Sequence, residues 1–166
     1  MNRAGAGPAD GGRRLRTCLG HFATGVTVVT CEVGGAPHGA TVNAFTAVSL
    51  DPALVLVSLA RESRAARHLG GRPFTVNVLA EEQEELALRF AGRPGAAEPR
   101  WERPAAGLAP RLAGALATVS CAPWAAYDGG DHVLFLGRVE EFAHRDGRPL
   151  VFYQGEFQRL GRPARA

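Results

Sequence analysis

Short apolar runs, rich in β-branched residues and separated by turn-forming Gly, Pro and Asp, recur along the chain. Runs of this length and composition are typical of β-strands. Because most connections are too short for βαβ crossovers, we expect a mainly β fold, an antiparallel barrel with a few peripheral helices. The predicted strands cover 26–33, 40–50, 53–60, 74–79, 112–127, 132–144 and 149–160.

Three other segments have the spacing or the end signals of helices. The first begins at Asp10, a possible N-cap, and stops at Gly25. The last, 81–92, has glutamates in its first turn and an arginine near its end, as the helix dipole favours. The Pro- and Gly-rich stretch 92–110 is predicted as a long loop with Trp101 as its anchor. The helical apolar positions of the first segment are Leu15, Leu19 and Phe22.

The middle helix, which begins at Ser63, has the opposite charge pattern. Arg64 lies in its first turn, Arg67 lies one turn on, and Arg61 lies just upstream. Positive charge at a helix N-terminus opposes the helix dipole, so the pattern indicates a negative partner there. The alternative is that Ser63 is only an N-cap and the arginines form a solvated face, at a cost well under ~1 kcal/mol.

The composition is globular, with 46% hydrophobic and 21% charged residues. Residues 1–12 lack the apolar stretch of a secretory signal, so we expect a disordered lead-in there and a single domain over 13–162. No apolar run is long enough to span a bilayer. We therefore expect a soluble, cytoplasmic protein with no membrane partner.

Charge and cysteine content narrow the range of ligands. The net charge of +3 comes from scattered arginines, and only 7% of the residues are aromatic, which disfavours nucleic-acid binding and favours a small anionic ligand. Cys18, Cys31 and Cys121 form no C-x-x-C pair, so neither a disulfide framework nor a zinc site is indicated, and buried reduced thiols are expected. No G-x-G-x-x-G follows a strand, so a nucleotide cofactor would not be held in the Rossmann manner.

Five stretches of the chain are informative when taken together. They are FATGVTVVT (22–30), GATVNAFTAVSLDPALVLVSL (39–59), RESRAARHL (61–69), FTVNVLAEEQEELALRFA (74–91) and GDHVLFLGRVEEF (130–142). Their order and spacing resemble those of the flavin reductase-like family, and the resemblance extends over nearly the whole chain, from about Leu15 to Leu160.

This resemblance implies an FMN-binding split barrel, a homodimer, and FMN or FAD bound near the subunit interface. It also implies that NADH or NADPH donates a hydride to the flavin and that the reduced flavin passes to a partner flavin-dependent monooxygenase. The alternative is a flavin-binding carrier or electron-transfer protein without reductase turnover, because a fold does not determine an activity.

The resemblance supplies a flavin phosphate as the negative partner of the middle helix. Ser63 can offer a hydroxyl group and a backbone N–H, and Arg61, Arg64 and Arg67 lie close to it in the sequence. Charge-assisted hydrogen bonds from arginine are suited to a phosphate group. These four residues are the implied phosphate site.

A second implied contact is the segment Asn43, Ala44, Phe45 and Thr46, which lies along the flavin ring in the family. Small and polar side chains let a flat heterocycle approach the backbone closely. Core packing is the stronger alternative for Phe45, and a plain turn is the alternative for Asn43 and Thr46. Thr27, on the facing strand, resembles a family position near the flavin, although an outward-facing threonine explains it almost as well.

His132 follows the tight turn DGGD and is the implied catalytic residue. In the family this histidine stands near the flavin and the nicotinamide, where it would orient the nicotinamide and favour the anionic reduced flavin. The alternative is a surface histidine beside a hairpin. Tyr153 and Phe157 either contact the nicotinamide side or the dimer partner, or pack in the core. The histidines expected to be structural or exposed are His21, His38, His68 and His144.

Overall fold

The computed structural model of the chain describes residues 8–93 and 97–161. In this part of the chain, no helix is both long and apolar enough to cross a lipid bilayer. The helices are α1 (Pro8–Leu19), α2 (Arg64–Leu69) and α3 (Glu84–Phe90), with a short 3-10 turn at Glu81–Gln83. The strands are β1 (Thr24–Gly25), β2 (Thr27–Val33), β3 (Ala36–Val42), β4 (Phe45–Leu50), β5 (Ala53–Ala60), β6 (Phe74–Val78), β7 (Trp101–Glu102), β8 (Arg111–Leu112), β9 (Ala117–Gly129), β10 (His132–His144), β11 (Leu150–Tyr153) and β12 (Glu156–Arg159).

The main sheet has seven strands in the order β3-β2-β6-β9-β10-β5-β4, and each neighbouring pair is antiparallel. β3 and β4 form its two edges, yet only Asn43 and Ala44 separate them in the chain. So short a link cannot cross a flat seven-stranded sheet, and the sheet must curl until its edges meet. The predicted fold class, mainly β and antiparallel with few helices, is confirmed.

Three of the predicted strands are each divided into two, and the one expected over 112–127 is interrupted at 113–116, between β8 and β9. The strand expected over 40–50 breaks at Asn43 and Ala44, and the strand expected over 149–160 breaks at Gln154 and Gly155. The last of these breaks has φ angles of 50° and 88°, the left-handed conformation that tight hairpin turns require. β11 then pairs with β12 on one side and with β1 on the other, in a separate, small three-stranded sheet.

Apolar side chains fill the curled sheet. Phe74, Val57 and Val76 are almost completely buried, and Ala66 and Leu69 of α2 pack on the same cluster. A second cluster joins the main sheet to the small sheet and to α3. Its buried members are Val26, Val28, Leu79, Ala87, Leu112 and Leu150.

The predicted loop 92–110, of which residues 94–96 lie outside the described residues, is fastened to this core. Trp101 pairs with Leu112 in a two-stranded ribbon and packs edge-on against Phe90, with ring centroids 5.9 Å apart. Buried Asn77 accepts a hydrogen bond from the Leu112 backbone N–H at 2.8 Å. Trp101 is therefore the anchor that the sequence predicted.

The first helix starts earlier than expected, at Pro8, and it ends at Leu19. Proline is tolerated in the first turn of a helix, because the backbone N–H that it lacks would have no partner within the helix there. Residues 8–12 of the predicted disordered lead-in are therefore helical, whereas residues 1–7 lie outside the described residues. The predicted stop at Gly25 was too late.

The apolar residues of this N-terminal region are not buried within the single chain. Leu15 is 58% exposed, Leu19 is 64% exposed and Phe22 is 78% exposed. Helical spacing shows which residues share a face, but it does not show what covers that face. Here the single chain leaves them open to solvent.

The three cysteines differ in their surroundings. Cys31 and Cys121 are buried, whereas Cys18 is exposed on α1, so the expectation of buried thiols was wrong for Cys18. Burial raises the pKa of the Cys31 thiol and raises the pKa of the Cys121 thiol to about 12. Because the thiolate is the reactive form, the two buried cysteines are protected by both inaccessibility and protonation.

We predict that a disulfide reagent such as Ellman's will react rapidly with one thiol of the native protein and with the other two only after unfolding. Thiol titration in mildly alkaline buffer, with and without guanidinium chloride, measures this. The Cys18→Ser variant should lose the rapid phase and keep the two slow thiols. Rapid reaction of two or more thiols in the native protein would contradict the burial of Cys31 and Cys121.

Candidate functional site

The curled topology brings most of the predicted site residues to one end of the main sheet. β3 ends there at Val42, β5 ends there at Ala60, and β10 begins there at His132. His132 is paired with Ala60 across the β10–β5 ladder. Three residues after Ala60 the chain enters α2, so the helix N-terminus, the β3–β4 link and His132 are neighbours in space.

The β3–β4 link exposes a small, polar stretch of backbone. Asn43, Ala44 and Thr46 are exposed, and the Ala44 carbonyl accepts a hydrogen bond from the Ser58 N–H at 3.0 Å. The Thr46 hydroxyl donates to the carbonyl of Ala47, at 3.2 Å. Asn43 and Ala44 belong to neither strand ladder. This stretch is therefore pinned in place and remains open to a flat ligand.

Two further residues of the predicted ring-binding group lie behind this stretch. Phe45 is half-buried and packs against the main core cluster, which agrees with the core alternative. Thr27 is 3% exposed, and its hydroxyl donates to the Val42 carbonyl at 2.6 Å. Thr27 supports the end of β3, and its hydroxyl proton is already engaged by the backbone.

Ser63 is the N-cap of α2, with its hydroxyl oxygen accepting a hydrogen bond from the Ala66 N–H at 3.1 Å. Its own backbone N–H donates to the Ala60 carbonyl at 2.9 Å. The hydroxyl proton can therefore be offered to a ligand, but the backbone N–H cannot, contrary to the expectation that both would be available.

The three arginines around this helix separate into three roles. The Arg61 guanidinium contacts the β9–β10 turn, where it donates to the Gly130 and His132 carbonyls. Arg67 donates to the Glu62 carbonyl at 2.7 Å. Arg64 has no hydrogen-bond or ion-pair partner for its side chain among the described residues. Of the three, Arg64 is the one best able to receive an anion.

Ser63 and Arg64 lie at a cleft of about 280 Å³ between α2, β2, β3 and the end of α3. Among the residues that the structure describes, no carboxylate lines this cleft, so its charged and titratable groups favour an anionic ligand. Several lining residues are glycine or alanine, which leaves room for a ligand to approach. The lining residues are Val29, Cys31, His38, Gly39, Ala40, Ser63, Arg64, Ala65, His68, Leu69, Phe90, Ala91 and Gly92.

The cleft contains two histidines that the sequence reasoning treated as structural or exposed. The rings of His38 and His68 lie 4.5 Å apart in an edge-to-face arrangement. Desolvation lowers the pKa of His68, and the positive charges of His38 and nearby arginines lower it further. His68 follows Arg64 by four residues, so the sequence could have shown that these two side chains lie on the same face of the helix. Nothing in the sequence linked His68 to His38.

The other predicted structural residues have local partners. His21 joins the end of α1 to the β11–β12 turn through hydrogen-bond contacts with Thr17 and Gln154, and His144 is exposed. Phe157 packs against Phe152, with ring centroids 5.6 Å apart. For Phe157, the core alternative is therefore the one observed.

His132 stands at the start of β10 with 42% of its side chain exposed. Its Nδ1 atom lies 2.7 Å from a carboxylate oxygen of Asp131. The hydrogen bond from His132 holds the pKa of the Asp131 carboxyl below its usual range. One ring nitrogen is thus oriented by Asp131, and Nε2 has no partner among the described residues. The ring is available to a ligand at the mouth of the site.

Comparison with known proteins connects this arrangement to a family. A family profile described as "Flavin reductase like domain" matches residues 19–161. An NADH-dependent flavin reductase from a Rhodococcus species is 44% identical over 155 residues, covering 88% of this chain and 85% of the relative. The reductase subunit HsaB of a flavin-dependent monooxygenase from Rhodococcus jostii is 43% identical over 150 residues, covering 87% and 76%.

A solved structure agrees with the relatives. The NADH:FAD oxidoreductase SgcE6 of Streptomyces globisporus, in complex with NAD and FAD fragments, superposes with a TM-score of 0.88 at 35% identity. The match covers 98% of this chain and 100% of that chain. Agreement in the profile, in sequence identity and in three-dimensional structure leads to one conclusion. The chain belongs to the flavin reductase like family.

Proposed function

We propose that this protein is an NADH-dependent flavin reductase, built on the split barrel of its family over 13–162. It would transfer a hydride from NADH to FMN or FAD and supply the reduced flavin to a partner flavin-dependent monooxygenase. The observation that carries the proposal is the convergence of the anion-suited cleft at Ser63 and Arg64, the exposed link at Asn43 and Ala44, and His132 at one end of the sheet.

The described residues fit a flavin nucleotide on chemical grounds. A phosphate needs hydrogen-bond donors and positive charge, and the Ser63 hydroxyl and the Arg64 guanidinium supply both at the cleft. A planar ring needs a surface free of bulky side chains, and Asn43, Ala44 and Thr46 supply one. Thr27 and Phe45 would act from behind by holding this surface in shape.

When bound, the flavin and NADH supply the hydride chemistry, and the chain supplies binding and orientation. His132 would present Nε2 to the nicotinamide or to the flavin edge, because Asp131 engages the opposite ring nitrogen. The β3–β4 link would fix the plane of one ring, and His132 the approach of the other. Bringing two reactants into a near-attack arrangement is by itself a large catalytic contribution.

A homodimer and a cytoplasmic location also belong to this proposal. Several large apolar side chains remain exposed on the single chain, on α1, on the edge strand β4 and on the β9–β10 hairpin. Leu50 is 94% exposed at the end of β4 that lies away from the β3–β4 link. A second copy would cover such surfaces and would deepen the site. The exposed apolar residues are Leu15, Leu19, Phe22, Val48, Leu50, Trp124, Tyr127, Phe142 and Leu160.

We predict that Arg64→Ala or Ser63→Ala weakens flavin binding by about 1–3 kcal/mol, as expected for the loss of a charge-assisted hydrogen bond. Arg67→Ala is the matched comparison, because Arg67 is engaged by the Glu62 carbonyl and should weaken binding by less than about 1 kcal/mol. Isothermal titration or flavin fluorescence quenching measures the affinities. Equal affinities for the parent and all three variants would show that the phosphate does not bind at this helix.

We predict a dimer in solution, with a mass of twice the 17.5 kDa chain. Leu50→Asp should shift the equilibrium toward the monomer, since it places a charge on the apolar edge. Light scattering coupled to size-exclusion chromatography measures both masses. A monomeric parent that still binds flavin tightly would refute the dimer.

The activity itself is tested by mixing the flavin-bound protein with NADH under anaerobic conditions. We expect the visible flavin absorption to bleach rapidly, and we expect His132→Ala to slow the bleaching by about 10-fold to 100-fold while leaving flavin affinity nearly unchanged. NADPH serves as the comparison donor. Flavin binding without bleaching by either donor would assign the protein to the flavin carriers, and an unchanged rate in His132→Ala would remove His132 from the site.

A further inference from the structure

We propose that Arg61 is a positioning residue that fixes the β9–β10 turn and, through it, the place of His132. This inference rests on the proposed reductase function. Arg61 lies between β5 and α2, and its side chain reaches across to the turn that precedes His132. This positioning role replaces the expectation that Arg61 contacts the flavin phosphate directly.

The contacts of Arg61 are concentrated on this turn. Its Nε atom donates to the Gly130 carbonyl at 3.2 Å, and one terminal nitrogen donates to the carbonyls of Gly130 at 3.1 Å and His132 at 3.2 Å. The same nitrogen pairs with the Asp128 carboxylate. The Arg61 backbone N–H donates to the Asp131 carbonyl at 2.9 Å. Both the main chain and the side chain of Arg61 therefore hold the turn.

The turn needs such support because of its own composition. Gly129 and Gly130 are adjacent, and Gly130 has a φ angle of 75°. Glycines allow the reversal of direction, but they leave the backbone with many accessible conformations. Within the turn, the Gly130 N–H donates to the Asp128 carboxylate at 3.3 Å, which is a long hydrogen bond. The Arg61 guanidinium, which is not part of this hairpin, supplies further hydrogen-bond donors to the turn.

The carbonyl contacts are the important part of this arrangement. Asp128 is 80% exposed and Arg61 45% exposed, and an ion pair so open to solvent adds little stability. A planar guanidinium that contacts two carbonyls, in contrast, defines a geometry that a flexible ammonium does not reproduce. Arg61 thus fixes the position of the His132 main chain, and Asp131 fixes the orientation of the His132 ring.

The test is a double-variant cycle on the rate of anaerobic flavin reduction at saturating flavin and NADH. We expect Arg61→Ala to lower this rate about 3-fold to 10-fold with the flavin dissociation constant changed less than about twofold, which is a loss in turnover and not in binding. In a His132→Ala background, Arg61→Ala should have no further effect, because residues that act through one another are not additive. Arg61→Lys should restore the rate only in part.

Two controls make the outcome specific. Arg138→Ala removes an arginine of similar exposure, 52%, that pairs with Glu140 on the same strand, and it should leave the rate unchanged. Asp128→Asn removes the exposed ion pair and keeps both carbonyl contacts, so its effect should be smaller than that of Arg61→Ala. A large rise in the flavin dissociation constant, or effects of Arg61 and His132 that multiply, would overturn the proposal.

A measurement without flavin or NADH separates this proposal from the proposed function. The imidazole NMR signals of His132, assigned by their loss in His132→Ala, should shift or broaden in Arg61→Ala, while those of His21 stay in place. Unchanged His132 signals would overturn the positioning role. If the parent protein did not reduce flavin at all, the proposed function would fail, and the NMR comparison would still decide whether Arg61 holds His132.

Discussion

The two-residue link between β3 and β4 is the constraint on which the rest of the structure depends. From Val42 to Phe45 the chain can extend at most about 11 Å. Seven strands laid flat would separate the edge strands by about 29 Å, at roughly 4.8 Å per strand spacing. Since β3 and β4 are these edges, the sheet has no choice but to curl. Because six successive antiparallel pairings separate β3 from β4, these two strands run in the same direction. The chain therefore passes from one edge strand to the other without reversing its direction.

Closure of the sheet determines where a ligand can bind. The interior is packed so closely that a Cβ added at Gly137 would lie 2.4 Å from a ring carbon of Phe74 and 2.6 Å from the Cβ of Cys121. No flat cofactor can enter such a core. The seam where the edges meet is different, because Asn43 and Ala44 leave the ladders there and the ends of β5 and β10 lie next to each other. The candidate site therefore lies on the outside of the curled sheet, at its seam.

The sequence predicted the parts of the molecule whose signals are local. Three such features were predicted: the strands, the N-cap at Ser63 and the anchoring role of Trp101. Each depends on residues close in the sequence or on the burial of one apolar side chain. The His38–His68 pair depends on packing between β3 and α2, and no local pattern carries it. Arg61 was assigned to a phosphate because charge is visible in a sequence, whereas the carbonyls of the β9–β10 turn that engage it are not.

The arginines of the stretch RESRAAR also explain how a helix tolerates positive charge at its N-terminus. Arg61 is directed to a turn on another hairpin and Arg67 to the Glu62 carbonyl. Of these three arginines, Arg64 lies at the cleft and has no partner within the described part of the chain. One exposed charge opposing a helix dipole costs less than about 1 kcal/mol, which the packing of Ala66 and Leu69 on the core can offset. The helix therefore forms without an anion. A site that is folded before its anion arrives is preorganised, so binding does not have to bear the cost of ordering the helix.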